Sequence, residues 1–134
     1  MTAFELPASI SIMTKIVLWV SDLDAQIAFY SNLLELELVG QESGFAYLTG
    51  EANAVMLHEL PIEYRATVPL CSQLPAQTEV AIKPVFQVAD LDAARERLAG
   101  TLATAAAETF THGRSSYLDV IDPEGNVIQL EQRL

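Results

Sequence analysis

Between residues 15 and 34 the apolar positions change period in mid-stretch. Ile16, Leu18 and Val20 alternate with Lys15, Val17 and Trp19, the spacing of a half-buried strand. Leu23, Ile27, Tyr30 and Leu34 then follow at the spacing of one helix face. Asp22 stands between them where a helix needs an N-cap, its side chain placed to accept from the unpaired amides of the first turn. The same grammar returns 68 positions later. KIVLWVSDLDAQIAFYSNLL (15–34) and KPVFQVADLDAARERLAGTL (83–102) share eight identities in twenty without a gap, among them Lys15/Lys83, Val17/Val85, Val20/Val88 and the run Asp-Leu-Asp-Ala. The period is about half the chain, so it marks a duplicated module rather than a solenoid. Asp90 is the second predicted cap, followed by Leu91, Ala94 and Arg97-Leu98.

Short β-rich pieces come after each helix: 36–39, 45–48 and 54–58 in the first copy, then 107–110, 116–120 and 127–130 in the second. Gly44, Gly50, Gly113 and the run Asp122-Pro123-Glu124-Gly125-Asn126 supply the turns. Each half therefore reads β-α-β-β-β, the first over 14–60 and the second over 80–132. Between them, 61–79 holds three prolines and no clear period, and reads as a linker or a binding or interface excursion. The first dozen residues are either an extra strand or a loose arm.

Composition narrows the function classes. The chain has 134 residues, 51% hydrophobic, enough for one domain with a real core. Seven basic against eighteen acidic residues leave a net charge of −11, which argues against a nucleic-acid binder and against a polybasic membrane-surface protein. No apolar run approaches a membrane span, and the N-terminus lacks the basic start of a secretory signal, so a cytoplasmic location is expected. The single cysteine, Cys71, excludes an internal disulfide framework and a multi-cysteine zinc site, and nothing around it points to an activated thiolate.

The stretches VSDLDAQIAFYSNLL and YLDVIDPEGNVIQLEQ resemble the vicinal oxygen chelate superfamily, which includes glyoxalase I, extradiol dioxygenases, methylmalonyl-CoA epimerase and the bleomycin-resistance proteins. The resemblance covers 14–60 and 80–132. It implies an α+β fold: two βαβββ modules forming an eight-stranded, mixed, incompletely closed barrel around a cavity, with the helices outside and a homodimer as the common assembly. Metalloenzymes of this kind place ligands at the start of each opening strand and in each closing strand. Here those positions fall on Lys15, Lys83, Gln129 and either Met56 or Leu57. An ammonium has no lone pair to give a cation, and Gln129 offers one weak carbonyl oxygen. No metal and no other cofactor are expected.

By strand alternation, the resemblance puts Lys15 and Trp19 toward the cavity, with Lys83 and Gln87 beside them by the repeat. Lys15 and Lys83 are the only lysines, and read either as a two-ammonium hold for a carboxylate or phosphate or as rim residues paired with nearby acids. Trp19, Tyr47 and Tyr117 are candidate aromatic walls, against the plainer reading of core residues. His58 shares a face with Met56 and reads as a ligand contact or a partnered structural histidine. Arg114, after His112 and Gly113, reads as a pocket-edge cation or as the partner of Asp119 or Asp122. The candidate ligand-binding set is thus Lys15, Trp19, Tyr47, Met56, His58, Lys83, Gln87, Arg114, Tyr117 and Gln129. Three functions fit it: a metal-free binder of an unidentified small molecule, an enzyme (lyase, isomerase or dioxygenase-like) using side-chain acid–base chemistry, or a regulatory module with a vestigial pocket. Whether the chain catalyses anything is left open.

Overall fold

The computed structural model describes residues 14–64 and 80–134. The N-terminal arm and most of the linker, with Cys71, lie outside these residues. Contacts divide the chain into two units, Met1–Ala66 and Thr67–Leu134, one for each copy of the repeat.

In the first unit, β1 (Ile16–Val20) leads into α1 (Leu23–Leu34), followed by β2 (Glu37–Glu42), β3 (Phe45–Thr49), β4 (Ala54–Glu59) and a single 3-10 turn at Ile62–Tyr64. The sheet order is β1-β4-β3-β2, with β1 parallel to β4 and the other pairs antiparallel. Asp22 caps α1 as expected, its Oδ1 accepting from the Ala25 amide at 3.0 Å. The helix stops where Glu35 turns left-handed at φ 53° and the Leu36 amide reaches back to the Ser31 carbonyl at 3.0 Å. Val20, Ala46, Leu48, Val55 and Leu57 are all but fully buried with the helix side chains Phe29, Tyr30 and Leu33. The opposite sheet face therefore carries the odd positions of β1 and β3 and the even positions of β4.

The second unit repeats the plan with β5 (Val85–Gln87), α2 (Leu91–Leu98), β6 (Thr104–Ala105), β7 (Phe110–His112), β8 (Ser115–Ile121) and β9 (Val127–Arg133). Its order is β5-β9-β8-β6, with β7 also paired to β8. Asp90 caps α2 through Oδ1, which accepts from Asp92 and Ala93 at 2.8 and 3.2 Å. Phe86, Leu118, Val120, Ile128 and Leu130 form the buried face beside Leu91, Ala94 and Leu98. The fold is α+β, as expected, with two mixed sheets of four and five strands.

The strand expected over 107–110 is not there. Two short strands, β6 and β7, flank residues 106–109, which makes nine strands among the described residues instead of eight. The Ala106 amide still donates to Asp119 O at 2.9 Å, but Arg95 takes the carbonyls of Ala106 and Ala107 through Nη1 and Nη2 at 2.8 and 3.3 Å. Carbonyls held by a helix side chain are not free for a strand ladder, and alanines have little branched surface to favour one. The run from Asp122 to Asn126 is turn chemistry, as its sequence implies. Asp122 Oδ1 accepts from the Glu124 and Asn126 amides at 2.8 and 2.9 Å, and Gly125 takes the positive φ of 86° that a side chain would resist.

Candidate functional site

The two sheets offer unlike faces on the side away from their helices. In the first, the parallel register sets Val17 beside Met56 and Trp19 beside His58, while β3 sets Tyr47 beside Met56 and Phe45 beside His58. The result is a row of rings across three strands. The Trp19 and His58 ring centres stand 4.2 Å apart at a 42° tilt, Phe45 meets His58 edge-on at 4.9 Å, and Tyr47 follows Phe45 at 5.0 Å. Trp19 is 47% exposed, far from a core residue. The His58 ring is oriented by its own strand, with Nδ1–H donating to the Glu59 carbonyl at 3.0 Å. Lys15, half-buried just before β1, continues the alternation of Val17 and Trp19 and makes no hydrogen bond or ion pair among the described residues.

The second face is polar. Lys83 Nζ lies 3.0 Å from Asp119 Oδ2, and Gln129 Nε2 donates to Asp119 Oδ1 at 2.9 Å. One register step along, Tyr117 donates to Glu131 Oε2 at 3.1 Å and stacks on Phe110 with ring centres 5.2 Å apart. Gln87, turned to satisfy its amide, accepts from Arg133 Nη2 and Nε at 3.2 and 3.3 Å. A hydrogen bond from Ser115, opposed by partial burial and reinforced by Tyr117 and by the charge of Arg133, holds the Glu131 carboxyl below its ordinary value of 4.5.

The candidate residues sort accordingly. Trp19, Tyr47, Met56 and His58 share the first face; Lys83, Gln87, Tyr117 and Gln129 share the second. Arg114 is exposed at the β7–β8 turn and pairs with neither acid considered for it: Asp119 holds Lys83 and Gln129, and Asp122 holds its own turn. The register also settles the closing-strand position. Val17 pairs with Met56 and Val85 with Gln129, so Met56 and Gln129 are equivalent, whereas Leu57 is buried on the helix side. Among the participants that were not candidates are Phe45, Asp119 and Glu131. The alternation Phe45, Tyr47, Thr49 would have placed Phe45 with Tyr47; the two acids required knowledge of which strands pair.

A divalent metal of the kind used by the metalloenzymes does not fit these positions. Met56 brings only a thioether, the Gln129 amide is tied to Asp119, and Lys83 adds positive charge. Among the described residues no group of three or more His, Cys, Asp or Glu side chains converges to hold a metal ion.

Comparison with known proteins agrees with this fold. A family model for the Glyoxalase/Bleomycin resistance protein/Dioxygenase superfamily matches residues 12–130, and the chain belongs to that superfamily. Among solved structures, a genomically encoded fosfomycin resistance protein from Listeria monocytogenes is similar over 92% of both chains, with TM-score 0.65 and 16% identity. The bleomycin-binding protein of Streptomyces verticillus, solved with copper(II)-bleomycin, is similar over 100% of both chains, with TM-score 0.59 and 16% identity. A bleomycin resistance determinant encoded on transposon Tn5 aligns over 90% of this chain and 97% of its own, with TM-score 0.58 and 15% identity. No curated protein sequence matches the chain. Among the described residues, no helix is long and apolar enough to cross a membrane.

Proposed function

We propose that this chain is a small-molecule-binding protein that takes a flat organic ligand without a resident divalent metal. The observation that carries the reading is the row Trp19, His58, Phe45 and Tyr47, with nearly half of the Trp19 surface open to solvent. A large aromatic ring left open on a sheet face is costly in water and is well suited to cover the ring of a ligand. Three similar structures are named for bleomycin or fosfomycin, which supports a small-molecule ligand without naming it or its shape. An anionic group on the ligand is met by Lys15 rather than by Lys83, whose charge Asp119 already answers. Among the described residues the outer strands of each sheet pair on one side only, which supports a homodimer as the working assembly.

Native mass spectrometry of freshly purified protein, with elemental analysis of the same sample, tests the function. A co-purified organic molecule, or a thermal shift with small aromatic compounds, is expected together with less than stoichiometric metal. One tightly held divalent ion per chain, or no response to any aromatic compound, overturns the reading.

A further inference from the structure

The ring row has one polar atom with a fixed chemical role. His58 Nδ1 sits next to the carbon that joins the ring to its stem, and it donates its proton to the Glu59 carbonyl 3.0 Å away, because a carbonyl oxygen can only accept. In the neutral ring that contact sets the tautomer. The remaining nitrogen, Nε2, then carries a lone pair at the far end of the ring, away from the strand backbone. It has no hydrogen-bond partner among the described residues. His58 itself is half-buried. Trp19 and Phe45 flank the imidazole at 4.2 and 4.9 Å and prevent it from turning freely.

Resting on the proposed function, we infer that His58 Nε2 is the specificity-determining acceptor of this face, selecting a flat aromatic ring that bears a neutral N–H or O–H donor on its edge. The rings supply apolar cover over three strands, and Nε2 supplies one directed hydrogen bond where the ring edge meets the row. Among the described residues no acidic side chain contacts the imidazole: its partners there are Trp19, Phe45 and a backbone carbonyl. A cationic ligand therefore finds no counter-charge there, and an aromatic ring without a donor leaves Nε2 dry and unpaired, which costs affinity.

Trp19 is the only tryptophan, so its fluorescence reports on this face alone. Benzotriazole, which has a ring N–H, and 1-methylbenzotriazole, in which a methyl group replaces that hydrogen, are titrated against the full-length protein. Both are expected to change Trp19 emission saturably, with benzotriazole binding about tenfold more tightly, the scale of one directed hydrogen bond. In His58→Phe, which keeps a ring but removes the acceptor, the two affinities are expected to become equal. Equal affinities in the native protein overturn the inference without recourse to any variant. A preference for the N–H compound that survives in His58→Phe overturns it too. A native ligand found by mass spectrometry, with no Trp19 response to either probe, overturns the inference while leaving the proposed function standing.

Discussion

Lys83 Nζ and Asp119 Oδ2 stand 3.0 Å apart although 36 residues separate them in the chain, and Gln129 occupies the other oxygen of the same carboxylate. The pair ties Lys83, two residues before β5, to the middle of β8 across β9. Its side chains are 27% and 25% exposed, so solvent screens much of the attraction. A double-mutant cycle with Lys83→Met and Asp119→Asn, followed by chemical denaturation, is expected to return a coupling of about 0.5–1 kcal/mol. Lys15→Met, which breaks no such contact, is expected to leave stability unchanged. Zero coupling in the cycle would show that Lys83 is as free as Lys15 and would restore it as a cation for ligand binding.

The depressed Glu131 carboxyl gives the second sheet an acid-sensitive contribution. The charged form is favoured in the folded state by Ser115, Tyr117 and Arg133, so this group adds stability above its unfolded value near 4.5. That stability is lost as the pH falls from there through the lower folded value. Glu131→Gln is therefore expected to flatten the dependence of unfolding free energy on pH in the acid range, and Tyr117→Phe to flatten it in part. Denaturation curves at several acid pH values check this; equal slopes in the native protein and Glu131→Gln would count against it.

Much of this arrangement is legible in the sequence because it is local. The switch from alternation to helical spacing around Asp22, and again around Asp90, fixes both strand–helix joints through contacts no more than three residues apart. The same alternation predicts that Ile16, Leu18 and Val20 turn inward and Val17 and Trp19 outward, as their exposures show. What the sequence hides is partnership at a distance. Arg95 holds the carbonyls of Ala106 and Ala107 from a helix, which breaks a strand that the repeat alone would extend through 107–110. Likewise, the fate of Lys83 depends on Asp119 lying one strand beyond β9, and the setting of His58 depends on β1 running parallel to β4. Neither fact follows from residue type.

Glu35 ends α1 in the left-handed region at φ 53°, a conformation in which a side chain is strained and glycine is not. Glu35→Gly is expected to raise stability by about 0.5–1 kcal/mol. Gly50, close by, demands the reverse. A methyl group there would sit 2.9 Å from Leu36 Cδ2 and 3.4 Å from the Glu35 carbonyl, so Gly50→Ala is expected to destabilise. Thermal denaturation of both variants checks the pair; a stabilised Gly50→Ala would mean that the α1–β2 corner yields more readily than its packing indicates.

Gln26 is the polar exception in the helix core. It lies on α1 among Leu23, Phe29, Tyr30 and Leu33, is 1% exposed, and its Oε1 has no hydrogen-bond partner among the described residues. Burying an unpaired amide oxygen costs about 1–3 kcal/mol. Methionine matches glutamine in length and lack of branching, has a similar helix propensity, and presents no oxygen to desolvate. Gln26→Met is therefore expected to stabilise the protein by about 1 kcal/mol, while Gln26→Ala, which removes the same oxygen but leaves a void, is expected to destabilise it. The two substitutions separate polarity from volume, since only the first preserves packing. If chemical denaturation shows Gln26→Met to be destabilising by a similar amount, the amide must be satisfied in solution, and the oxygen would belong to a polar contact that the helix core maintains.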